Sequence, residues 1–420
     1  MPKIQIIGGS TLSGDIKISG SKNSVVALIP AAILCDEKVE ITNVPNISDV
    51  DDLSDILNYL GASFDRSEDK IVFNDTKLEN KLIPDEMSGR LRASYYFMGA
   101  LLGKYGKVAM SFPGGCSIGE RPINLHLKGF EKLGAKIEEK ANGEFIISAD
   151  ELVGDEIFLD VPSVGATINI ILASVKARGV TIIENAAKEP HVIDVCQFLN
   201  SMGAKIDGIG TGRITVEGVN YLYGTKYSVV PDMIEAGTYL IIASLLGDKL
   251  RISNLNPLHI ESLTSKLEEA GVNLIIGNNY VEVSSIGDYN AIDITTMAYP
   301  GFPTDLQQPM TPFLVSCNGM SHIEETVWEN RFMNIDDTIK MGASIEVSED
   351  NKVATIYGKS KLVGKDVWAT DLRGGASMVI CGLIAEGVTN IYNIHYILRG
   401  YDDIVGKLRN VGAQIKIVDE

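Results

Sequence analysis

No two of the five cysteines in this 420-residue chain stand closer than Cys317 and Cys381, and neither a CxxC pair nor a His-x3-His spacing occurs. That scarcity argues against a disulfide framework and a zinc site, and the odd count suits free thiols in a reducing compartment. Positive charge is short as well: 37 Lys and Arg against 55 Asp and Glu give a formal net charge of -18. Phosphate backbones and anionic membranes demand a basic face, so no nucleic acid and no membrane surface is expected as a partner. Long apolar runs are missing. The longest, Val25 to Cys35, is broken by Pro30 and falls far short of the about 20 residues a bilayer span needs. The opening "MPKIQIIGGS" has no basic region followed by an apolar core, so no signal peptide is expected. With 45% hydrophobic and 22% charged residues, the composition is that of an ordinary soluble, cytoplasmic protein long enough for two domains.

What the chain has in abundance is repetition. "LNYLGASF", "FEKLGAKI", "FLNSMGAKI", "LEEAGVNL", "IKMGASI" and "LRNVGAQI" each end an amphipathic helix, place a glycine, and begin a strand. The glycines are Gly61, Gly134, Gly203, Gly271, Gly342 and Gly412, set about 70 residues apart. Glycine there is the left-handed stop of a helix. A second set of helices, among them "SVVALIPAAIL", "ATINIILASVKARG" and "AGTYLIIASLLG", is apolar nearly all round and belongs inside. The spacing predicts six α/β units, three per domain, with helices inside and sheets outside. A passive ring or clamp of such units remains an alternative, since fold does not fix function.

Equivalent loops differ in chemical content, which points to a site. The first buried helix opens at Lys22 and Asn23 in "GSKNS", and a helix start with a lysine suits an anion. Related places hold Arg92, Arg121, Glu189, Arg331, Asp371, Arg373 and Arg399, with Asp305 in "FPTDL" and Cys116 in the glycine-rich "FPGGCSIGERPI". Several cations at equivalent helix starts of an acidic protein would suit a substrate bearing both phosphate and carboxylate. A thiol beside cations titrates near neutrality and serves as acid, base or nucleophile. The five histidines, His126, His191, His259, His322 and His395, form no triad spacing and read as structural or surface residues; "GIGTGR" lacks the phosphate-loop pattern and falls in a hairpin.

Together "GSKNS", "LRAS", "PGGCSIGERPI", "FPTDLQQ", "ETVWENRF", "ATDLRGG" and "LRGY" make the chain resemble, over essentially its full length, the UDP-N-acetylglucosamine 1-carboxyvinyltransferase family, the MurA-type enolpyruvyl transferases of peptidoglycan synthesis. The resemblance implies a two-domain inside-out α/β barrel of six βαβαββ units. It places one domain at 21–229, with the cysteine loop at about 111–122, and the other at 1–20 plus 230–420, with the active site in the cleft between them. It implies UDP-N-acetylglucosamine and phosphoenolpyruvate as substrates and no metal or organic cofactor.

In the family's chemistry the sugar hydroxyl adds to C2 of phosphoenolpyruvate while C3 is protonated, and the ketal then loses phosphate. By resemblance Cys116 is the proton donor, can carry a covalent phosphoenolpyruvate adduct and is the target of fosfomycin; Asp305 is the base candidate. Lys22, Asn23, Arg121 and Arg399 would hold phosphoenolpyruvate. Arg92, Arg121, Pro122, Ile123, Asn124, Leu125, Ser163, Val164, Asp305 and Val327 would border the UDP-sugar, with Glu189, Arg331, Asp371 and Arg373 in support. Two departures, Glu120 before Arg121 and Leu398 before Arg399, suggest a divergent branch with altered loop dynamics or regulation. The rival readings are a shikimate-pathway enolpyruvyl transferase, which lacks the cysteine loop, and a non-catalytic regulatory paralogue.

Overall fold

A computed structural model of the chain describes residues 2–75, 77–111, 123–140, 143–284 and 287–419. Cys116, Glu120, Arg121 and Pro122 therefore lie outside the described residues. The described chain divides into two units, one of residues 20–111 with 123–230 and one of residues 2–19 with 231–419.

Each unit carries three small sheets around its own apolar core. The third repeat shows the plan. Strand Glu156–Phe158 leads to the buried helix Val164–Ser174, then to strand Val180–Glu184, the outer helix Pro190–Ser201, and the strands Lys205–Asp207 and Arg213–Glu217. The first two strands pair parallel across the buried helix, and the last two join antiparallel. A parallel pair needs a crossover of this kind, and a helix apolar on all sides is the natural filling. Every residue from Gly165 to Ser174 is buried, and each large apolar side chain so covered contributes about 1.5–3 kcal/mol. The strands alternate buried with exposed positions, so each sheet has one face on the core and one toward water.

Two strands trade places between sequence and space. Leu12–Lys17, which precedes the first buried helix, pairs with Gly247–Ser253 of the fourth repeat; Thr225–Ser228, which precedes the fourth, pairs with Val39–Thr42 of the first. Lys3–Ile7 completes the sheet of the sixth repeat between Val388–Tyr392 and Gln414–Val418. The six stop glycines all take positive φ, from +83° at Gly61 to +117° at Gly342, where an L side chain would be strained.

A further recurring device lies just after the second strand of a repeat. Asn43, Asn185 and Asn254 have φ near +57°, and their side-chain amides donate to the carbonyls of Val229, Leu159 and Ile18 at 2.8, 2.9 and 2.7 Å. Each ties the end of the second strand to the end of the parallel first strand. Asn393 has the same φ at the same place in the sixth repeat. Asparagine tolerates this conformation because its short amide bonds locally. No described helix is both long and apolar enough to cross a membrane.

Candidate active site

Within the unit of residues 2–19 and 231–419, four of the expected site residues meet. Asp305 lies in the short 3-10 turn Thr304–Leu306 that leads into the buried helix Gln307–Ser316. Its Oδ1 accepts from Arg331, and its Oδ2 accepts from Arg373 Nε and Nη2 at 3.3 and 3.1 Å. Both guanidiniums are 3% exposed, while the carboxylate is 27% exposed. Burial by itself pushes the Asp305 pKa up. The charges and hydrogen bonds of Arg373 and Arg331 outweigh it and hold the carboxyl well below the ordinary carboxylate range. Asp305 is thus ionised at any working pH.

The two arginines are held in turn. Asp371 caps the buried helix Leu372–Ile384, its Oδ1 accepting from the backbone N–H of Arg373 and Gly374 at 2.9 and 3.1 Å. Its Oδ2 accepts from Gln308 Nε2 at 2.9 Å, and Gln308 Oε1 accepts from Arg331 at 3.3 Å. Gln308 therefore bridges the helix cap to the second guanidinium. The Arg373 guanidinium lies 5.4 Å from the centre of the Tyr401 ring. Burial lowers its pKa, but Tyr401 and Asp305 raise it further and keep it charged. Val327 is exposed on the turn after strand Gly319–Glu324. Arg399 lies, as expected, in the segment before the outer helix Ile404–Asn410, where it also closes the short helix His395–Leu398.

The other expected residues belong to the unit of residues 20–111 and 123–230. Lys22 is the first residue of helix Lys22–Ala32, which Ser21 caps by accepting from the Ser24 N–H at 3.3 Å. Its ammonium pairs at 3.0 Å with Asp49, whose side chain is fully buried, and Asn23 follows it in the same first turn. Arg92 sits in the 3-10 turn Arg92–Tyr95, a lead-in like that of Asp305, not in the α-helix Tyr96–Tyr105 that follows. Its guanidinium is 5.9 Å from the Tyr95 ring, and burial pulls its pKa down.

Three stretches converge there. The Tyr95 ring lies 5.0 Å from His126, one turn into the helix Asn124–Lys132 that Ile123 opens and Leu125 continues. A Cβ on Gly165 would come within 2.9 Å of both His126 and Tyr95, which brings in the start of helix Val164–Ser174, capped by Ser163. His126 bonds Asn169 at 2.9 Å. Burial first, then the Arg92 charge, lower its pKa to about 3, so it stays neutral. Glu189 caps the outer helix Pro190–Ser201 in position but not by a side-chain bond; its Oε2 is buried with no hydrogen-bond partner among the described residues.

The geometry can now be set beside known proteins. A family profile described as EPSP synthase (3-phosphoshikimate 1-carboxyvinyltransferase) matches residues 6–408. The chain belongs to the EPSP synthase family. It is 48% identical over 412 residues, 98% of each chain, to UDP-N-acetylglucosamine 1-carboxyvinyltransferase 2 of Staphylococcus aureus. A similar 48% over 414 residues relates it to UDP-N-acetylglucosamine 1-carboxyvinyltransferase 1 of Staphylococcus haemolyticus, again over 98% of each chain. Among solved structures, the enolpyruvyl transferase NikO from Streptomyces tendae superposes with TM-score 0.89 at 25% identity, covering 99% of both chains. EPSP synthase from Acinetobacter baumannii gives 0.76 at 17% identity over all of both chains, a likeness of fold. The expected two-domain α/β barrel of this family is the fold observed.

Some members of this site were not singled out in the sequence. Asp49 lies outside every quoted motif, yet it anchors Lys22; Gln308, Thr370 and Tyr401 lie inside "FPTDLQQ", "ATDLRGG" and "LRGY" as uncharged neighbours of the residues read there, and Thr370 donates to Asp371 at 3.2 Å. The repeat itself held a signal for one more, Glu325, which stands where other repeats place their asparagine. Among the described residues no three His, Cys, Asp or Glu side chains gather as a metal site.

Proposed function

We propose that this protein is an enzyme that transfers the enolpyruvyl group of phosphoenolpyruvate to the 3′-hydroxyl of UDP-N-acetylglucosamine and releases phosphate, the first committed step of peptidoglycan synthesis. The observation that carries this is 48% identity spread over 98% of the chain and of a relative named for that activity. The cytoplasm is the proposed compartment, since the described cysteines, Cys35, Cys196, Cys317 and Cys381, are free and buried, as suits a reducing medium.

In the proposed chemistry the Cys116 thiol gives its proton to C3 while the sugar hydroxyl oxygen bonds to C2 and passes its proton to Asp305. In the second half C3 returns a proton to the Cys116 sulfur and the bond from C2 to the phosphate oxygen breaks. Lys22, Asn23, Arg121 and Arg399 are proposed to hold phosphoenolpyruvate, and Arg92, Ile123 to Leu125, Ser163, Val164 and Val327 the UDP-sugar. Asp305 with both guanidiniums seated is a weak base. Loosening of one arginine as the hydroxyl arrives would raise its proton affinity at the moment it is needed.

A second reading, shikimate 3-phosphate as acceptor, is favoured only by the description of the matching family profile. The test is turnover in heavy water. Phosphate release that requires UDP-N-acetylglucosamine, with deuterium entering the methylene group of the product, is expected. Release without deuterium entry would contradict reversible protonation of C3 by an exchangeable acid.

A further inference from the structure

We infer that Glu325 is a positioning residue that couples the turn carrying Asp305 to the turn carrying Val327. In four repeats the residue after the second strand is an asparagine, as in "ITN", "IEN", "ISN" and "IYN"; in the fifth, "IEE", it is Glu325. Glu325 does not take the left-handed conformation of the four asparagines, but the hydrogen bond that joins the strand ends beside it is kept. Thr296 N–H donates to Glu324 O at 2.9 Å, just as Leu159 N–H donates to Glu184 O and Val229 N–H to Thr42 O in their repeats.

The side-chain chemistry is inverted as well. Where Asn43, Asn185 and Asn254 donate to carbonyls, the Glu325 carboxylate accepts from a hydroxyl, that of Thr296, at 2.9 Å on Oε1. The same oxygen accepts from the backbone N–H of Val327 and Trp328 at 2.8 and 3.1 Å. Oε2 accepts from Thr304 Oγ1 at 2.9 Å. The side chain is buried, at 3% exposure. A buried carboxylate is tolerated when several donors converge on it, and charge-assisted bonds of this kind fix geometry strongly. A neutral asparagine lock can tie two strand ends together. Glu325 fixes three segments at once: the strand end at Thr296, the turn at Val327 and Trp328, and the 3-10 turn in which Thr304 precedes Asp305. Since Asp305 and Val327 are both assigned to the sugar nucleotide, Glu325 sets where that substrate meets its base. None of the groups that bond to the Glu325 carboxylate is among the residues assigned to phosphoenolpyruvate, Lys22, Asn23, Arg121 and Arg399.

The inference rests on the proposed activity for its kinetic reading, so the experiment carries a second, independent signal. Trp328 and Trp368 are the only tryptophans, and a Trp368→Phe background leaves Trp328 as the sole indole reporter. In that background Glu325→Gln is expected to lower kcat about tenfold and raise KM for UDP-N-acetylglucosamine about fivefold, with KM for phosphoenolpyruvate within about twofold, and to shift the Trp328 emission. Thr304→Val should reproduce the kinetic split while Thr304→Ser, which keeps the hydroxyl, stays near the parent. Unchanged kinetics with unchanged emission would overturn the inference. So would an activity loss that merely tracks the folded fraction, with both KM values intact. Should the parent turn over no phosphoenolpyruvate with the UDP-sugar, the functional proposal fails instead, and the emission decides alone: a shift supports the role of Glu325 and no shift refutes it.

Discussion

Lys22 and Asp305 are mirror images. In one unit an ammonium, 14% exposed, rests on a carboxylate that is fully buried; in the other a carboxylate, 27% exposed, rests on two guanidiniums that are each 3% exposed. In both, the group facing solvent is the functional candidate and the buried opposite charge holds it. A buried ion left without its partner is costly, typically about 3–5 kcal/mol, so neither buried member can release its partner without compensation. The difference lies in the sign of the buried charge. The Asp49 carboxylate aims Lys22, whereas two guanidiniums both aim Asp305 and strip it of basicity. The first arrangement leaves a positive tip suited to an anion, and the second a permanently ionised acceptor suited to a hydroxyl.

The strongest way to break this contrast is to remove the exposed carboxylate. Asp305→Ala leaves Arg331 and Arg373 buried and facing each other, and should cost about 3–5 kcal/mol of stability together with at least about hundredfold in kcat. Asp305→Asn keeps the side-chain volume and one accepting oxygen but not the charge, so it should show the full kinetic loss with a smaller shift in the urea midpoint than the alanine variant. A matched loss of both quantities in the two variants would make Asp305 a purely structural ion.

Next in size is Asp49→Asn. It should raise KM for phosphoenolpyruvate about tenfold and leave KM for the UDP-sugar within about twofold, because Lys22 loses its aim. Combining it with Lys22→Met should be far from additive. Equal effects on both substrates would separate Lys22 from the phosphoenolpyruvate assignment.

Arg331→Lys keeps the charge and loses the planar fork. A few-fold drop in kcat is expected, smaller than that of Asp305→Asn, with a measurable rise in the apparent pKa of the acidic limb of the rate profile.

The last prediction concerns the neighbour of Arg92 and bears on stability rather than on turnover. His126 stays neutral in the fold down to about pH 3, while an unfolded histidine takes its proton near 6.5. The unfolded chain therefore binds the extra proton between those values, so this contribution to stability is complete above about 6.5 and is lost as pH falls toward 3. His126→Gln should flatten that part of the pH dependence of thermal unfolding. An unaltered slope would mean that His126 is protonated in the fold.

Much of this architecture was legible because the repeat is spelled in residues with few conformational choices. Gly61 through Gly412 mark six helix stops by backbone strain alone, and the apolar helices between them have no surface to offer water. The charged site residues were legible because a lysine or arginine recurring at helix starts is unusual in an acidic chain. What escaped was set by tertiary partners. Nothing local distinguishes Asp49 from its neighbours Asp51 and Asp52, yet only the fold buries it under Lys22. Gln308 became a bridge only when Asp371 and Arg331 arrived from distant segments. The 3-10 lead-ins at Arg92 and Asp305 were missed because a tightened first turn differs little in energy from an α-helical one. Nothing in "LRGYDD" signals that the loop before the outer helix Ile404–Asn410 opens with a short helix, His395–Leu398, which Arg399 closes. The cysteine loop is read from sequence alone, since its residues lie outside those described.

The most direct measurement is phosphate release from phosphoenolpyruvate with either of two acceptors at equal concentration. Steady turnover with UDP-N-acetylglucosamine and none above background with shikimate 3-phosphate is the expected result. Comparable or faster turnover with shikimate 3-phosphate would contradict the assignment.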